Sequence, residues 1–460
     1  MNRRKNIIVV GGNAAGPAAA AKAKRTAQDA YVLMIEASDF ISTGTCELPY
    51  LLSGEIGNYN DIVFFSAESF EKEKGVKVLA SHFVEKIERM KRIITIRNLK
   101  SGHKFNQEYD KLILCTGSTA KTLPSLPKNL SNVFTLKSVA DLISINAYLE
   151  KNKIRNVLII GAGYIGLEIA DALAKGTDSQ KSFGYSITIL EKEKLPMPGL
   201  EVETRNLLFD LLKQNDIEFL GNARDVKFNN NGEKFLSIKL EGRVIEYDLV
   251  LLCAGFEPNN TLAVSSKLKI GSYGGINVDQ KLCTSDPNIY AAGDCIEVMN
   301  KITSRPDYIP LATIAHQTGH IAGENAAGGN AVTQPFVKNI AVKVFRKSLV
   351  SIGLNSDEAE KYGFKFSSVH TIASNLVEVM PDAEQVFGKI LFDKNTKQIL
   401  GANFFGNREA VGYGDIVSTF IRNKIKANEL ANVNYNYTPP LSPFVNILSV
   451  LGRKIERLLK

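Results

Sequence analysis

The stretch Asn156-Val-Leu-Ile-Ile-Gly-Ala-Gly-Tyr-Ile-Gly166 decides the fold of this chain. Its apolar first half predicts a buried strand, and its three glycines predict a tight turn that leads directly into a helix. The first glycine permits the turn, the second lets the backbone approach a pyrophosphate, and the third lets the helix pack on the strand. Phosphates bind at such a helix N-terminus because its unpaired N–H groups and its dipole favour anions. Glu191 ends the next predicted strand, where a carboxylate accepts hydrogen bonds from ribose hydroxyls.

A matching unit occurs earlier in the chain. Residues 6–10 form its apolar run, Gly11-Gly-Asn-Ala-Ala-Gly16 forms its turn with asparagine at the middle glycine position, and Glu36 is its acid. Each unit is followed by a predicted hairpin and a buried strand that stops at a glycine, Gly117 in the first and Gly255 in the second. Two series of four elements in the same order predict two dinucleotide-binding domains. The second unit differs from the first by a polar insert at residues 175–185, between its helix and its second strand.

The chain after Asn330 changes character and has no glycine-rich turn of this kind. Its pattern predicts an α+β domain with a helix over residues 409–423 and antiparallel strands over residues 340–345, 367–372, 386–392 and 399–404. The predicted fold is therefore α/β, with two Rossmann-like dinucleotide-binding domains and a C-terminal α+β domain. The expected boundaries place residues 1–118 and 250–332 in the first domain, 119–249 in the second and 333–460 in the third.

Length and composition are consistent with this division. The chain has 460 residues, enough for about three domains, and no apolar run approaches the ~18 residues of a membrane helix. The apolar run at residues 7–10 is also too short for a signal peptide. Five cysteines without a CxxC pair predict no metal site and no disulfide framework, and we expect a reducing, cytoplasmic setting. A net charge of +8 without a basic block favours an anionic small molecule over nucleic acid.

Further motifs follow in a specific order: Leu114-Cys-Thr-Gly117, Cys253-Ala-Gly-Phe-Glu-Pro-Asn259, Tyr290-Ala-Ala-Gly-Asp294 and Pro310-Leu-Ala-Thr313. Together with the two glycine-rich units, the chain resembles the pyridine nucleotide–disulfide oxidoreductases over essentially its whole length. The resemblance implies FAD in the first domain, a nicotinamide nucleotide in the second, and a homodimer formed through the third. It also implies that Asp294 binds the ribityl chain of FAD, and that a helix starting near Pro310 points its positive end at the flavin ring.

The resemblance assigns two sets of cofactor-binding residues. Those expected at FAD are Gly11, Gly12, Ala15, Gly16, Glu36, Thr116, Gly117, Gly293, Asp294, Ala312 and Tyr437. Those expected at the nicotinamide nucleotide are Gly161, Gly163, Tyr164, Ile165, Gly166, Glu168, Glu191 and Gly255. Because a carboxylate at Glu191 would repel a 2′-phosphate, we expect a preference for NADH, with NADPH still accepted since Lys192 and Lys194 lie nearby.

Cys46 is the predicted catalytic residue. It lies in Ser42-Thr-Gly-Thr-Cys-Glu-Leu-Pro-Tyr50, where glutathione and lipoamide reductases carry two cysteines five residues apart. A single cysteine resembles the branch that contains coenzyme A disulfide reductases, NADH oxidases and NADH peroxidases. The reactive species is a thiolate, so we expect a helix N-terminus to lower the pKa of Cys46, with Glu47 acting against it. Cys115 and Cys253, at strand ends, are expected to be core residues.

The same branch suggests where a coenzyme A substrate binds. Its enzymes hold the nucleotide phosphates with basic side chains of the first helix, and Lys22 and Arg25 occupy that stretch. Ser42 and Lys74 are further candidates for this site. The competing interpretation of these lysines and arginines is a solvated helix end.

The sequence departs from the motifs of the family at several positions, and these differences concern the substrate rather than the flavin chemistry. The first glycine-rich loop has no histidine, which disfavours a peroxidase. Tyr437-Thr-Pro-Pro matches the C-terminal motif of the family, but Leu441 replaces the aromatic residue after it, and the lysine expected next is not evident. A second tyrosine of the coenzyme A enzymes falls near Met380-Pro381. No His-x-x-x-x-Glu pair is present, and we expect His316 to be structural.

Three functions compete at this point. The favoured one is an FAD-dependent NAD(P)H oxidoreductase that reduces coenzyme A disulfide, persulfide or polysulfide through Cys46. The alternative is an NADH oxidase in which oxygen is reduced and Cys46 passes through a sulfenic acid. The third is a flavin- and NADH-binding module that signals or transfers single electrons to a protein partner. The motif around Cys46 argues against the third, and the missing loop histidine favours the first over the second.

Overall fold

The structure is a computed structural model in which residues 4–127, 129–175 and 184–460 are described. Most of the polar insert predicted at residues 175–185 lies outside the described residues. The strands, in chain order, are β1 (Asn6–Val10), β2 (Tyr31–Ile35), β3 (Ile41–Thr43), β4 (Val63–Phe65), β5 (Lys77–Leu79), β6 (His82–Glu88), β7 (Ile93–Asn98), β8 (Lys104–Glu108), β9 (Lys111–Leu114), β10 (Ser118–Ala120), β11 (Val133–Phe134), β12 (Asn156–Ile160), β13 (Ser186–Leu190), β14 (Glu218–Leu220), β15 (Lys227–Asn230), β16 (Phe235–Leu240), β17 (Arg243–Glu246), β18 (Leu249–Leu252), β19 (Phe256–Pro258), β20 (Ile289–Ala291), β21 (Val298–Met299), β22 (Pro306–Asp307), β23 (Asn339–Val344), β24 (Lys347–Gly353), β25 (Phe366–Ser374), β26 (Gln385–Asp393) and β27 (Ile399–Gly406).

The helices connect these strands and cover the sheets. In chain order they are α1 (Ala15–Thr26), α2 (Leu48–Leu52), α3 (Ala67–Lys74), α4 (Val139–Lys151), α5 (Tyr164–Lys175), α6 (Val202–Gln214), α7 (Thr261–Ser265), α8 (Ala312–Ala326), α9 (Ser356–Lys361), α10 (Glu409–Arg422) and α11 (Ile447–Leu459). Short 3₁₀ helices lie at Thr45–Glu47, Tyr59–Ile62, Ala223–Asp225 and Ala427–Asn432.

The first Rossmann-like unit is a parallel sheet in the order β20-β9-β1-β2-β5. Its central strands are fully buried, which explains why they are almost continuously apolar. Helix α1 packs against α8 at backbone contact, because Gly319 and Gly323 of α8 face the carbonyl groups of Ala15 and Ala19. A Cβ at either glycine would overlap those carbonyl oxygens, so both positions require glycine for this close packing.

The second Rossmann-like unit repeats the architecture in the order β11-β18-β12-β13-β14, with every pair parallel. The boundary predicted at residues 249/250 is wrong, because it cuts through β18. All four residues of that strand pair with Val157–Ile160 of β12, so Leu249–Leu252 belongs wholly to the second unit. An antiparallel pair, β10 with β19, lies where the chain passes between the two units. The boundaries at residues 118 and 332 stay predictions.

The third unit is an antiparallel sheet in the order β23-β24-β27-β26-β25, covered by α10 and α11. The four strands and the helix predicted from the sequence are present. Strand β24 was not predicted because only a two-residue turn, Phe345 and Arg346, separates it from β23. Among the described residues, no helix combines the length and apolar character needed to cross a membrane.

Candidate active site

The two glycine-rich turns have the same geometry. Gly11 and Gly161 adopt φ values of +111° and +107°, and each faces the carbonyl group of a cysteine at the end of the neighbouring strand. A Cβ at Gly16 or Gly166 would overlap the carbonyl oxygen of the first glycine in its own turn. These positions therefore demand glycine for steric reasons. Gly163 faces open space, which leaves room for a phosphate group beside the start of α5.

Each acid at the end of the second strand binds its own glycine-rich turn. Glu36 accepts hydrogen bonds from the N–H groups of Gly12 (2.5 Å) and Ser38 (2.8 Å). Glu191 likewise accepts from Ala162 N–H (2.8 Å) and Glu193 N–H (3.1 Å). Burial raises the pKa of Glu36, and these backbone hydrogen bonds oppose the rise. A carboxylate has about four acceptor sites, so both acids retain capacity for a ribose hydroxyl.

Asp294 lies at the end of β20, close to the start of α8. Its Oδ2 accepts a hydrogen bond from Ser118 Oγ (3.1 Å), and the preceding Gly293 N–H donates to Thr318 Oγ1 of α8 (3.1 Å). Burial raises the pKa of Asp294, while Lys137 and Ser118 act in the opposite direction. A Cβ at Gly293 would meet Ala15, the first residue of α1. The Gly-Asp pair therefore lies against both α8 and the helix that follows the first glycine-rich turn, which is consistent with a shared FAD site.

Lys137 is a residue that the sequence analysis missed. Its Nζ donates to Ser118 Oγ (2.8 Å) and lies 4.1 Å from the ring centroid of Phe256. Burial lowers the pKa of Lys137, and the carboxylate of Asp294 opposes that change. A lysine placed just before the capping box Ser138-x-x-Asp141 gives no signal in the sequence, because its partners lie in other parts of the fold.

The loop that carries Cys46 is attached to the first glycine-rich turn. Ser42 N–H donates to Gly12 O (2.7 Å), and Thr43 Oγ1 donates to Asn13 Oδ1 (3.1 Å). Cys46 then lies in the 3₁₀ helix Thr45–Glu47, directly before α2. The asparagine at the middle glycine position therefore holds the cysteine loop in place. Ser42 itself adopts a positive φ of 49°.

The electrostatic surroundings of Cys46 differ from the expectation. The residue is exposed, but the protein around the sulfur still displaces enough water that burial raises the pKa of the thiol. Glu47, as predicted, raises this pKa, and so do Glu168 and Asp294. Lys137 lowers the pKa. Burial and the carboxylates of Glu47, Glu168 and Asp294 together outweigh Lys137, so the pKa of Cys46 moves in the direction opposite to the predicted lowering.

Glu168 connects the second glycine-rich turn with the cysteine loop. It lies on α5, which packs against α2, and it lines a small cavity with Tyr50, Ser53 and Lys343. Burial and the neighbouring Asp171 raise the pKa of Glu168 to about 7. Burial and Glu168 also raise the pKa of Tyr50 to about 12. A residue expected at the nicotinamide nucleotide therefore also acts electrostatically on Cys46.

The candidate coenzyme A residues lie mostly at the far end of α1. Lys22 Nζ binds Glu324 Oε2 of α8 (2.9 Å), and Arg25 is exposed. His316 and His320 of α8 have ring centroids 4.6 Å apart. Burial lowers the pKa of His320, as do His316, Arg25 and Lys22. We call Lys22, Arg25, His316 and His320 the α1–α8 basic surface. His316 is exposed, and the structural role that we expected for it stays a prediction.

The remaining candidates are placed as follows. Lys74 lies beside Gly75, which approaches the aliphatic part of Lys24 of α1, and its Nζ is 5.0 Å from the ring centroid of Phe65. Lys74 is therefore near the same end of α1, whereas Ser42 lies at the opposite end. Tyr437 is exposed and its ring contacts that of Phe444, 5.2 Å between centroids. Its contact with FAD stays a prediction, as do the individual roles of the other predicted site residues.

The class of protein follows from two family models. That of the pyridine nucleotide-disulphide oxidoreductases matches residues 5–319, and that of their dimerisation domain matches residues 340–446. The chain belongs to the pyridine nucleotide-disulphide oxidoreductases. It is a flavoprotein oxidoreductase that uses FAD and a nicotinamide dinucleotide, and the two glycine-rich turns with their acids fit these two groups.

Two branches of the family are found among similar proteins. The chain is 28% identical over 436 residues to an NADH oxidase of Methanocaldococcus jannaschii, covering 95% of each protein. It is 28% identical over 451 residues to a coenzyme A disulfide reductase of Staphylococcus aureus, covering 98% of this chain and 99% of that protein. Both the favoured function and its alternative are thus represented.

Solved structures show the same division. Reduced Bacillus anthracis CoADR-RHD superposes with a TM-score of 0.93 at 28% identity, covering 99% of this chain and 81% of that one. An NAD-dependent persulfide reductase from A. fulgidus gives 0.92 at 29% identity, covering 98% and 83%. The water-forming NADH oxidase from Lactobacillus brevis bound to NADH gives 0.91 at 25% identity, covering 99% of each chain.

Proposed function

We propose that the protein is an NADH-dependent reductase of coenzyme A disulfide or of the related persulfide or polysulfide. The observation that carries this proposal is the α1–α8 basic surface. Helix α1 starts at the first glycine-rich turn, to which the Cys46 loop is bound, and ends at Lys22 and Arg25. A substrate with a sulfur at one end and phosphates at the other matches this placement of a thiol and basic groups.

The chemistry assigned to Cys46 is thiol–disulfide exchange. Its thiolate attacks one sulfur of the disulfide, a mixed disulfide forms on Cys46, and the first coenzyme A thiolate leaves. FAD, when bound and reduced by NADH, would supply the two electrons needed to split this mixed disulfide. The products are the second coenzyme A thiolate and the Cys46 thiolate, so the cysteine is restored for another cycle.

The charges around Cys46 serve this cycle in opposite ways. Lys137 stabilises the thiolate, whereas the carboxylates of Glu47 and Glu168 favour the protonated thiol. Because the pKa of Glu168 is about 7, this side chain exchanges its proton at physiological pH. We propose that Glu168 holds a proton near Cys46 while the negative charge of a leaving thiolate develops.

We also propose a cytoplasmic homodimer. The match of residues 340–446 to the dimerisation domain of the family supports a dimer, and five cysteines without a disulfide pairing suit a reducing compartment. Light scattering of the purified protein measures the oligomeric state, and a monomeric mass at micromolar concentration would contradict this part of the proposal.

An NADH oxidase is the second candidate function. It is supported by the 28% identity to the Methanocaldococcus jannaschii NADH oxidase over 95% of both chains and by the exposure of Cys46. In this case two electrons from NADH would reduce oxygen to hydrogen peroxide. The peroxide would oxidise the Cys46 thiolate to a sulfenic acid with release of hydroxide, and two further electrons from NADH would return the thiolate and release the second oxygen as water.

One experiment separates the two candidates. NADH consumption by the FAD-loaded protein is measured without oxygen, using coenzyme A disulfide, coenzyme A persulfide, polysulfide, cystine or oxidised glutathione, and then with oxygen alone. We expect the highest kcat/KM with a coenzyme A acceptor and a coenzyme A adduct on Cys46 in the mass spectrum of the unreduced protein. Rapid oxygen consumption without turnover of any coenzyme A acceptor would establish the oxidase instead.

A further inference from the structure

Close to Glu191 lies an ion pair that has no part in the thiol–disulfide exchange at Cys46. Arg224 Nη2 donates to Glu193 Oε1 at 2.5 Å. Glu193 follows the end of β13, and Arg224 follows the end of β14, which are adjacent parallel strands of the second sheet. Both residues therefore lie at the carboxyl edge of the sheet, where a Rossmann fold binds its nucleotide.

The backbone holds these two loops together. Glu193 N–H donates to Glu191 Oε1 (3.1 Å), Ala223 N–H donates to Glu191 O (3.0 Å), and Asn222 N–H donates to Glu193 O (3.1 Å). Arg224 is thus positioned through the same residues that fix Glu191, the acid expected at the 2′-hydroxyl of the nucleotide. The Arg224 loop therefore lies against the residues that follow Glu191, on the side of the sheet where a 2′-phosphate is expected.

We infer that Glu193 is a specificity-determining residue for NADH, because it withholds Arg224 from the 2′-phosphate of NADPH. Arg is the side chain best suited to bind a phosphate through two parallel hydrogen bonds. Because the guanidinium of Arg224 is bound to Glu193, its N–H donors are engaged within the protein and not available to a phosphate.

The exposure of the pair makes Arg224 easy to release. The Arg224 side chain is 66% exposed and that of Glu193 is 33% exposed, and such surface ion pairs add little to stability. Removing Glu193 should therefore leave the fold intact and free the guanidinium. Lys192 and Lys194 are exposed in the same loop and are the competing phosphate ligands that a test must separate from Arg224.

This inference rests on the nicotinamide nucleotide site of the proposed function and not on the acceptor. The test therefore measures nucleotide binding directly: the FAD-loaded wild-type protein and its Glu193→Gln variant are titrated calorimetrically with NAD⁺ and NADP⁺, which do not reduce the flavin. We expect the ratio of NADP⁺ to NAD⁺ affinity to rise roughly twofold to tenfold in Glu193→Gln, because the phosphate no longer competes with an exposed ion pair for the guanidinium.

Two further variants assign the gain to Arg224. Glu193→Gln/Arg224→Ala should return the ratio to the wild-type value, whereas Glu193→Gln/Lys192→Ala should keep most of it. Arg224→Ala alone should change the ratio little, because Glu193 already withholds the guanidinium. An unchanged ratio in Glu193→Gln, or a gain that survives loss of Arg224, would overturn the inference. Normal nucleotide binding without turnover of a coenzyme A acceptor would instead refute only the proposed acceptor.

Discussion

The ammonium group of Lys389 lies 2.7 Å from Glu201 Oε2, with both side chains almost completely buried. Lys389 belongs to β26 of the third unit and Glu201 precedes α6 of the second, so this pair joins two units. Glu203 contributes a second carboxylate at 2.9 Å, and the Ser356 N–H and hydroxyl donate to Glu201. The arrangement leaves few acceptor sites of Glu201 without a donor.

We predict that Lys389→Met lowers the free energy of unfolding by about 3–5 kcal/mol, because removing one partner leaves a buried carboxylate without its counter-charge. Lys394→Met, an exposed lysine of the same unit, should change it by less than about 0.5 kcal/mol. Denaturant unfolding of both variants measures the difference. Equal free energies of unfolding for Lys389→Met and Lys394→Met would show that the buried ion pair does not stabilise the contact between the two units.

The same cluster predicts a pH dependence. The carboxylates raise the pKa of Lys389 above its usual value, so its contribution is present at neutral pH and is lost as the pH rises through the raised pKa. Lys389 lowers the pKa of Glu203, so this contribution is lost as the pH falls through the lowered pKa. In a profile of the free energy of unfolding against pH, Lys389→Met should therefore abolish both the decrease at high pH that Lys389 causes and the decrease at low pH that Glu203 causes.

Cys46→Ser should abolish disulfide reduction and leave reduction of the flavin by NADH intact, because the serine hydroxyl cannot form a mixed disulfide. Cys283→Ser, at a half-buried cysteine, is the matched control and should retain turnover. Stopped-flow measurement of flavin reduction separates the two half-reactions. Disulfide turnover in the Cys46→Ser variant would show that the cysteine is not catalytic.

The charges around Cys46 predict how fast the thiol is alkylated at each pH. Because burial and Glu47 raise the pKa of the thiol, the rate of iodoacetamide labelling should rise with pH through a midpoint above the usual thiol pKa. Glu47→Gln should move this midpoint down, and Lys137→Met should move it up. Mass spectrometry of the Cys46 peptide gives both midpoints, and shifts of the opposite sign would contradict the electrostatic account.

Arg25→Ala should lower kcat/KM for coenzyme A disulfide roughly tenfold or more, because a charge-assisted contact to a phosphate is lost. Oxygen consumption should be unaffected, since oxygen has no phosphate. Arg243→Ala, an exposed arginine on β17, controls for the loss of one positive charge. Added salt should weaken turnover of coenzyme A disulfide in the wild type more than in Arg25→Ala.

The wild-type protein should prefer NADH to NADPH. The Glu191 carboxylate is buried and fixed by Ala162 N–H, so it cannot move away from a 2′-phosphate of like charge. Values of kcat/KM for the two nucleotides measure the preference. Equal values would show that Lys192 and Lys194 compensate fully for this repulsion.

The repeated Rossmann-like units and most of the third sheet were predictable, because glycine spacing and apolar runs are local properties of the sequence. The domain boundary at residues 249/250 was placed wrongly because the apolar sequence of a buried strand such as β18 does not indicate which of two parallel sheets the strand joins. The partners of Lys137 could not be predicted, since Ser118, Phe256 and Asp294 meet it only in the folded chain. The raised pKa of Cys46 was missed for the same reason: its largest cause is burial, which depends on the folded chain, as do the contributions of the distant Glu168 and Asp294.

The backbone contact of α1 with α8 at Gly319 and Gly323 has a consequence for which acceptors react. Helix α1 has 12 residues, which correspond to about 18 Å, and its contact with α8 fixes the spacing between the Cys46 loop and the α1–α8 basic surface. A disulfide must therefore match that spacing to engage both ends together. We expect acceptors to be selected by molecular length, so that cystine, which carries no phosphate for Arg25, reacts without help from the basic groups.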